Sequence, residues 1–171
     1  EDTLDVVAMF DIVPLVNAGM PDFGYCDPEL AWKTISHEKT EDKIVSESML
    51  ETPAGTLRQK TTIEKIKGGF RNVCPVNTPE DLDVLEYIID KALDSDMSKL
   101  ADFIREKVDL IAGRAALSVQ WPVQPYELFC YPDTVTTVML AMDCEEQFRR
   151  LMDKILKLDF KLMDQTAKGG G

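Results

Sequence analysis

AWKTISHEKTEDKIVSESMLETPAGTLRQKTTI, residues 31–63, is the stretch on which the reading of the fold turns. Its segments WKTISHE, KIVSESML and TLRQKTTI are rich in Thr, Ile and Val, side chains that fit a pleated surface, and the turn-prone TEDK and TPAG separate them. The pattern predicts an antiparallel meander. In the last segment Thr56, Arg58, Lys60 and Thr62 fall on one face and Leu57, Gln59, Thr61 and Ile63 on the other, the alternation of a half-solvated edge strand.

Upstream of the meander, EDTLDVVAMF fits a short amphipathic helix and IVPLVN, just after Asp11, a brief buried strand. Gly19, Pro21, Asp22 and Gly24 then break the chain into a loop. Downstream, IKGGFRNVCPVN reads as a loop in which Gly68 and Gly69 grant backbone freedom. Thr78-Pro79-Glu80-Asp81 is a helix start, with Thr as N-cap, Pro at the first helical position and acids at the positive helix end. Leu82, Leu85, Ile88, Ile89 and Ala92 follow at helical spacing, which predicts a helix over 79–93. A second helix is predicted over 98–112, with Leu100, Phe103, Ile104, Val108 and Ile111 on one face and Gly113 placed to end it.

AALSVQW alternates Leu117, Val119 and Trp121 with Ser118 and Gln120, a strand that arrives at Pro122. WPVQPYELFCYPD then reads as an aromatic loop or broken helix, and residues 133–142 as a short helix. Asp143 and Glu146 fit a capping box for a long last helix over 144–168, whose buried stripe is Phe148, Leu151, Met152, Ile155, Leu158, Leu162 and Met163. Strands alternating with paired helices suggest βα units in one domain over 1–171. Two central parallel strands, near 10–17 and 115–120, are too few to close a sheet. The expected fold class is therefore α/β: a partial (β/α)8 TIM barrel, its N-terminal half, with an inserted antiparallel β meander.

Composition narrows function. Hydrophobic residues at 44% and charged residues at 29% describe a chain with a packed core rather than a disordered one. With 19 Lys and Arg against 31 Asp and Glu, the formal net charge of −12 repels polyphosphate and anionic lipid, so nucleic acid and membrane are not expected partners. No apolar run has the length of a membrane helix, and the first residues lack signal-peptide order, so a cytoplasmic protein is expected. Cys26, Cys74, Cys130 and Cys144 form no CxxC, and the single histidine, His37, sits beside Glu38 in the meander. These spacings predict reduced thiols, a surface or strand-pairing histidine, and no metal bound by this chain.

Three segments carry a family likeness: FDIVPLVNAGM at 10–20, TPAGTLRQ at 52–59 with NTPEDLDVL at 77–85, and WPVQPYELFCYPD at 121–133. Together they resemble the uroporphyrinogen decarboxylase superfamily, which includes the cobamide-dependent methyltransferases. TPAGTL followed by TPEDL is more similar to the methyltransferase branch, and FDI with GM to the FSDI segment of the decarboxylases, at an interval one residue shorter. The arginine-bearing segment that precedes the aspartate in the decarboxylases has no counterpart here, and the His and Cys zinc ligands of the methyltransferases belong to a later half of the barrel. The resemblance implies that this chain is the N-terminal part of such an enzyme, inactive alone. The implied activity is methyl transfer between a corrinoid carrier and a small acceptor, with zinc and a corrinoid partner in the full-length protein and no cofactor in this chain. Decarboxylation of a tetrapyrrole and a non-catalytic binding role on the same fold are the alternatives. For the decarboxylase, Asp11 is the candidate catalytic group, holding pyrrole N–H groups as positive charge develops, but Lys67 and Arg71 are few cations for a multiply anionic substrate. Trp121 and Tyr126 are the candidate substrate-binding residues, because ligands in such barrels sit at the C-terminal ends of the strands.

Overall fold

The computed structural model describes residues 15–19, 23–66, 68–120 and 134–170. In chain order the elements are β1 (Leu15–Gly19), β2 (Lys33–Lys39), β3 (Lys43–Thr52), β4 (Gly55–Glu64), β5 (Gly68–Val73), α1 (Pro79–Asp94), α2 (Ser98–Ile111), β6 (Ala116–Gln120), α3 (Thr134–Asp143) and α4 (Glu145–Lys168). Two one-turn 3-10 helices, Phe23–Tyr25 and Pro28–Leu30, lie between β1 and β2.

The strands form two sheets: an antiparallel one in the order β2-β3-β4-β5, and a parallel pair, β1 with β6. The two strands do pair in parallel, but the first runs over Leu15–Gly19 rather than 10–17, so Gly19 ends the strand instead of opening the loop, and Leu15 is exposed rather than buried; the register runs from Leu15 opposite Ala116 to Gly19 opposite Gln120. A half barrel is nevertheless not what forms. The larger sheet is antiparallel, and the helices close on it and on one another: α1 packs on β4 and β3, α4 on α1 and α2, and α3 on α4. The architecture is a mixed α/β one in which the expected insertion is the main sheet. Its physical reason is burial. Leu50 of β3 and Leu57 of β4, cross-strand neighbours on one face, are both almost fully buried and share a core with Leu82, Leu85 and Ile89 of α1 and Leu151, Ile155, Leu158 and Leu162 of α4.

The faces of β4 are as the alternation reads at its start, where Leu57 is buried and Thr56 and Arg58 are exposed, but past a register irregularity at Lys60 and Thr61 they are not, since Thr62 is buried and Ile63 exposed; nor is β4 an edge, for it pairs with β3 on one side and β5 on the other. The stretch read as a loop after Ile66 contributes β5, because Gly68 and Gly69 sit opposite Glu64 and Ile63 in the ladder. Glycine there marks a strand start with positive φ at Gly68 rather than an irregular loop.

α1 begins as its sequence dictates. Thr78 accepts a hydrogen bond from the Asp81 backbone N–H, while the Asp81 carboxylate accepts from the Thr78 N–H at 2.9 Å, a reciprocal box that satisfies two otherwise orphan donors. α2 ends on Ala112 and Gly113, both in positive φ. At α4 the expected Asp143 and Glu146 box does not form: Cys144 is the N-cap, without a side-chain hydrogen bond, and Asp143 closes α3 instead, while of the expected buried stripe Leu151, Ile155, Leu158 and Leu162 are buried but Met163 is exposed. Two close approaches demand glycine. A Cβ on Gly55 would stand 2.8 Å from Val84 Cγ2 of α1, and one on Gly169 would stand 2.6 Å from Ile104 Cβ of α2.

Candidate functional site

The parallel pairing of β1 and β6 brings Gly19 beside Gln120, so both chains leave this sheet at one end. In parallel α/β arrangements that end is where the following segments converge on ligands. Leu15, at the other end of β1, is 71% exposed. Asp11, Trp121 and Tyr126 lie outside the described residues, as do Lys67 and Cys130.

The most built polar cluster is elsewhere, across the seam of α1 and α4. Glu86 accepts from Arg150 through both oxygens, at 2.6 and 2.8 Å, and from Lys154 Nζ at 2.7 Å; the same ammonium reaches Asp90 Oδ2 at 2.7 Å. The guanidinium hydrogen bonds, with Lys154 adding to them, hold the Glu86 carboxyl down at about 2. Every charge in this cluster is matched, which is the arrangement of a structural seam and not of a group waiting for a substrate. Its sequence signal is the pair of four-residue spacings, Glu86 with Asp90 and Arg150 with Lys154, acids on one helix and bases on the other. Sequence reasoning passed over it because each spacing alone describes an ordinary solvated face.

At the junction of α3 and α4 lies an open groove of about 600 Å3 whose walls include Met142, Asp83, Asp143, Glu145, Glu146 and Arg150. Asp83 accepts from the Gln147 amide at 2.6 Å, and Glu145 pairs with Arg149 at 2.6 Å. Arg150 is committed to Glu86, so the groove is acidic.

Three further groups bear on chemistry. His37 is exposed on β2, its Nδ1 3.0 Å from Ser46 Oγ on the neighbouring strand. Cys26, Cys74 and Cys144 are reduced thiols, and burial pushes the Cys26 thiol above its ordinary range, which keeps it protonated. On α4, Asp159 has one carboxylate oxygen buried without a hydrogen-bond partner among the described residues, and burial raises its pKa. Among the described residues no three His, Cys, Asp or Glu side chains gather in a way that holds a metal ion. The zinc implied by the family likeness therefore finds no ligand set in them, and no step is assigned to it. No described helix is long and apolar enough to cross a membrane.

Compared with known proteins, the chain matches no family model, no curated protein and no solved structure.

Proposed function

We propose that this chain is part of an enzyme that transfers a methyl group between a corrinoid carrier and a small acceptor, with the acceptor bound where β1 and β6 end. The observation that carries the reading is the in-register parallel pair, which sets Gly19 of the NAGM segment beside Gln120, the residue before WPVQPYELFCYPD. Two of the segments that resemble the methyltransferases also meet in space. TPAG is the turn between β3 and β4, NTPEDLDVL opens α1, and Gly55 of the first faces Val84 of the second with no room for a side chain between them. Such a contact gives both segments a packing reason to occur together.

In this reading Trp121 and Tyr126 flank the acceptor and Asp11 supplies the charge that orients it. The bound carrier would supply a methyl group on cobalt(III); the acceptor thiol gives up its proton and takes the methyl as a thioether while the cobalt–carbon bond breaks, and the bonding pair would stay with the carrier as cobalt(I). The excess of acids, a formal charge of −12, favours a small acceptor over a multiply anionic tetrapyrrole.

The test supplies methylcobalamin and a small thiol to the purified full-length protein of which this chain is part, and follows loss of the cobalt–methyl absorbance and appearance of the thioether. Demethylation above the buffer rate is expected, and Asp11→Asn should lower turnover on the order of a hundredfold while leaving the melting temperature near that of the parent. A protein with no activity over buffer overturns the reading. Unaltered turnover per folded molecule, with a large drop in stability, makes Asp11 a structural residue.

A further inference from the structure

α3 is turned inside out relative to an ordinary surface helix. Thr137 and Leu140 are buried, while Val135, Val138, Met139 and Met142 stand between 51% and 73% exposed. Their spacings of three, one and three residues place all four on one stripe. A helix bathed by water turns its polar side outward, and a continuous exposed apolar stripe marks a surface that another body covers.

The stripe runs into the acidic groove. Met142, its last side chain, also lines the groove with Asp83, Asp143 and Glu146, none of which has an ion-pair partner among the described residues. Apolar anchors beside unmatched carboxylates complement one kind of ligand. We propose that the outer face of α3 and this groove form a docking surface for a basic amphipathic helix of a partner protein. The partner's apolar face lies on Val138, Met139 and Met142, and its lysines or arginines reach Asp143 and Glu146. Two methionines suit the role because their unbranched, polarizable side chains adapt to a range of apolar surfaces. The acidic charge of the whole chain attracts such a helix, and it disfavours a second copy, which would bring the same carboxylates to the contact.

Fluorescence anisotropy tests the proposal with a labelled peptide of about 18 residues, long enough to form a helix. The peptide carries leucine on one helical face and lysine elsewhere. Saturable one-to-one binding is expected. It should weaken on the order of tenfold in Met139→Ala/Met142→Ala, which removes anchors without adding charge. Asp143→Lys/Glu146→Lys should weaken it and flatten its dependence on salt. Circular dichroism of both variants should match the parent, since the changed side chains are exposed. Equal affinity for the parent and the alanine variant overturns the proposal, as does equal affinity for a glutamate–leucine peptide. A dimer in sedimentation that Met142→Lys dissociates would also overturn it and assign the stripe to a second copy.

Discussion

Across the seam of α1 and α4, leucines and isoleucines turn inward while Glu86, Asp90, Arg150 and Lys154 close the rim with matched charges. On α3 valines and methionines also face outward, while Leu140 and Thr137 lie within. Both regions show the same helical periodicity. The difference teaches that spacing identifies the faces of a helix but not which face finds a neighbour; that is settled by what else the chain brings alongside.

The sharpest way to break the contrast is to truncate one side chain on each side of it. Leu158 is 0% exposed on α4, and Leu158→Ala should cost about 2–5 kcal/mol in urea unfolding, through lost transfer energy and the cavity left behind. Met139→Ala on α3 should stay within about 0.5 kcal/mol of the parent. A cost at Met139 comparable to that at Leu158 would show that the stripe is already covered within the chain.

The charged rim can be tested by pH. The carboxyl of Glu86 is held at about 2 against an ordinary 4.5, so the folded state favours its ionised form. Its contribution is complete above about 4.5 and is lost as pH falls toward about 2. Glu86→Gln should cost roughly 1–2 kcal/mol at neutral pH. The gap between parent and variant, read from urea midpoints, should narrow through that acid window, and a gap constant with pH would remove the rim from the account of stability. The smallest expected effect is at the start of α1, where Thr78→Ala should cost about 1 kcal/mol by removing the side-chain acceptor of the Asp81 N–H and leaving it the Thr78 carbonyl alone. Thr78→Ser, which keeps the hydroxyl, should restore most of it.

Much of this was legible in local chemistry. Thr78-Pro79-Glu80-Asp81 names a helix start because capping is decided within four residues, and TEDK and TPAG name hairpin turns for the same reason. The misreadings arose where distant partners decide. Gly68 and Gly69 look like a loop until β4 offers them a ladder, and Asp143 looks like a cap until α3 extends through it. The barrel was the largest misreading: two parallel strands with paired helices leave closure open, and the meander, taken for decoration, holds the leucines that the helices bury. The candidate site was legible only as a place. Two parallel strands are expected from an apolar run and from the alternation of AALSVQW, but that they pair with each other is not, and Asp11, Trp121 and Tyr126 lie outside the described residues.

One contact links the order of these elements in time. The Lys161 ammonium of α4 donates to the Leu93 and Ser95 carbonyls at 2.6 Å each, so the free carbonyls at the end of α1 are closed by a side chain more than sixty residues away. The final turn of α1 cannot fray into water without also releasing that ammonium. Amide hydrogens there should exchange with solvent at the rate of those in the middle of α4, and acetylation of Lys161, which removes the charge and two of the three donors, should let that turn exchange early while the rest of α1 stays protected.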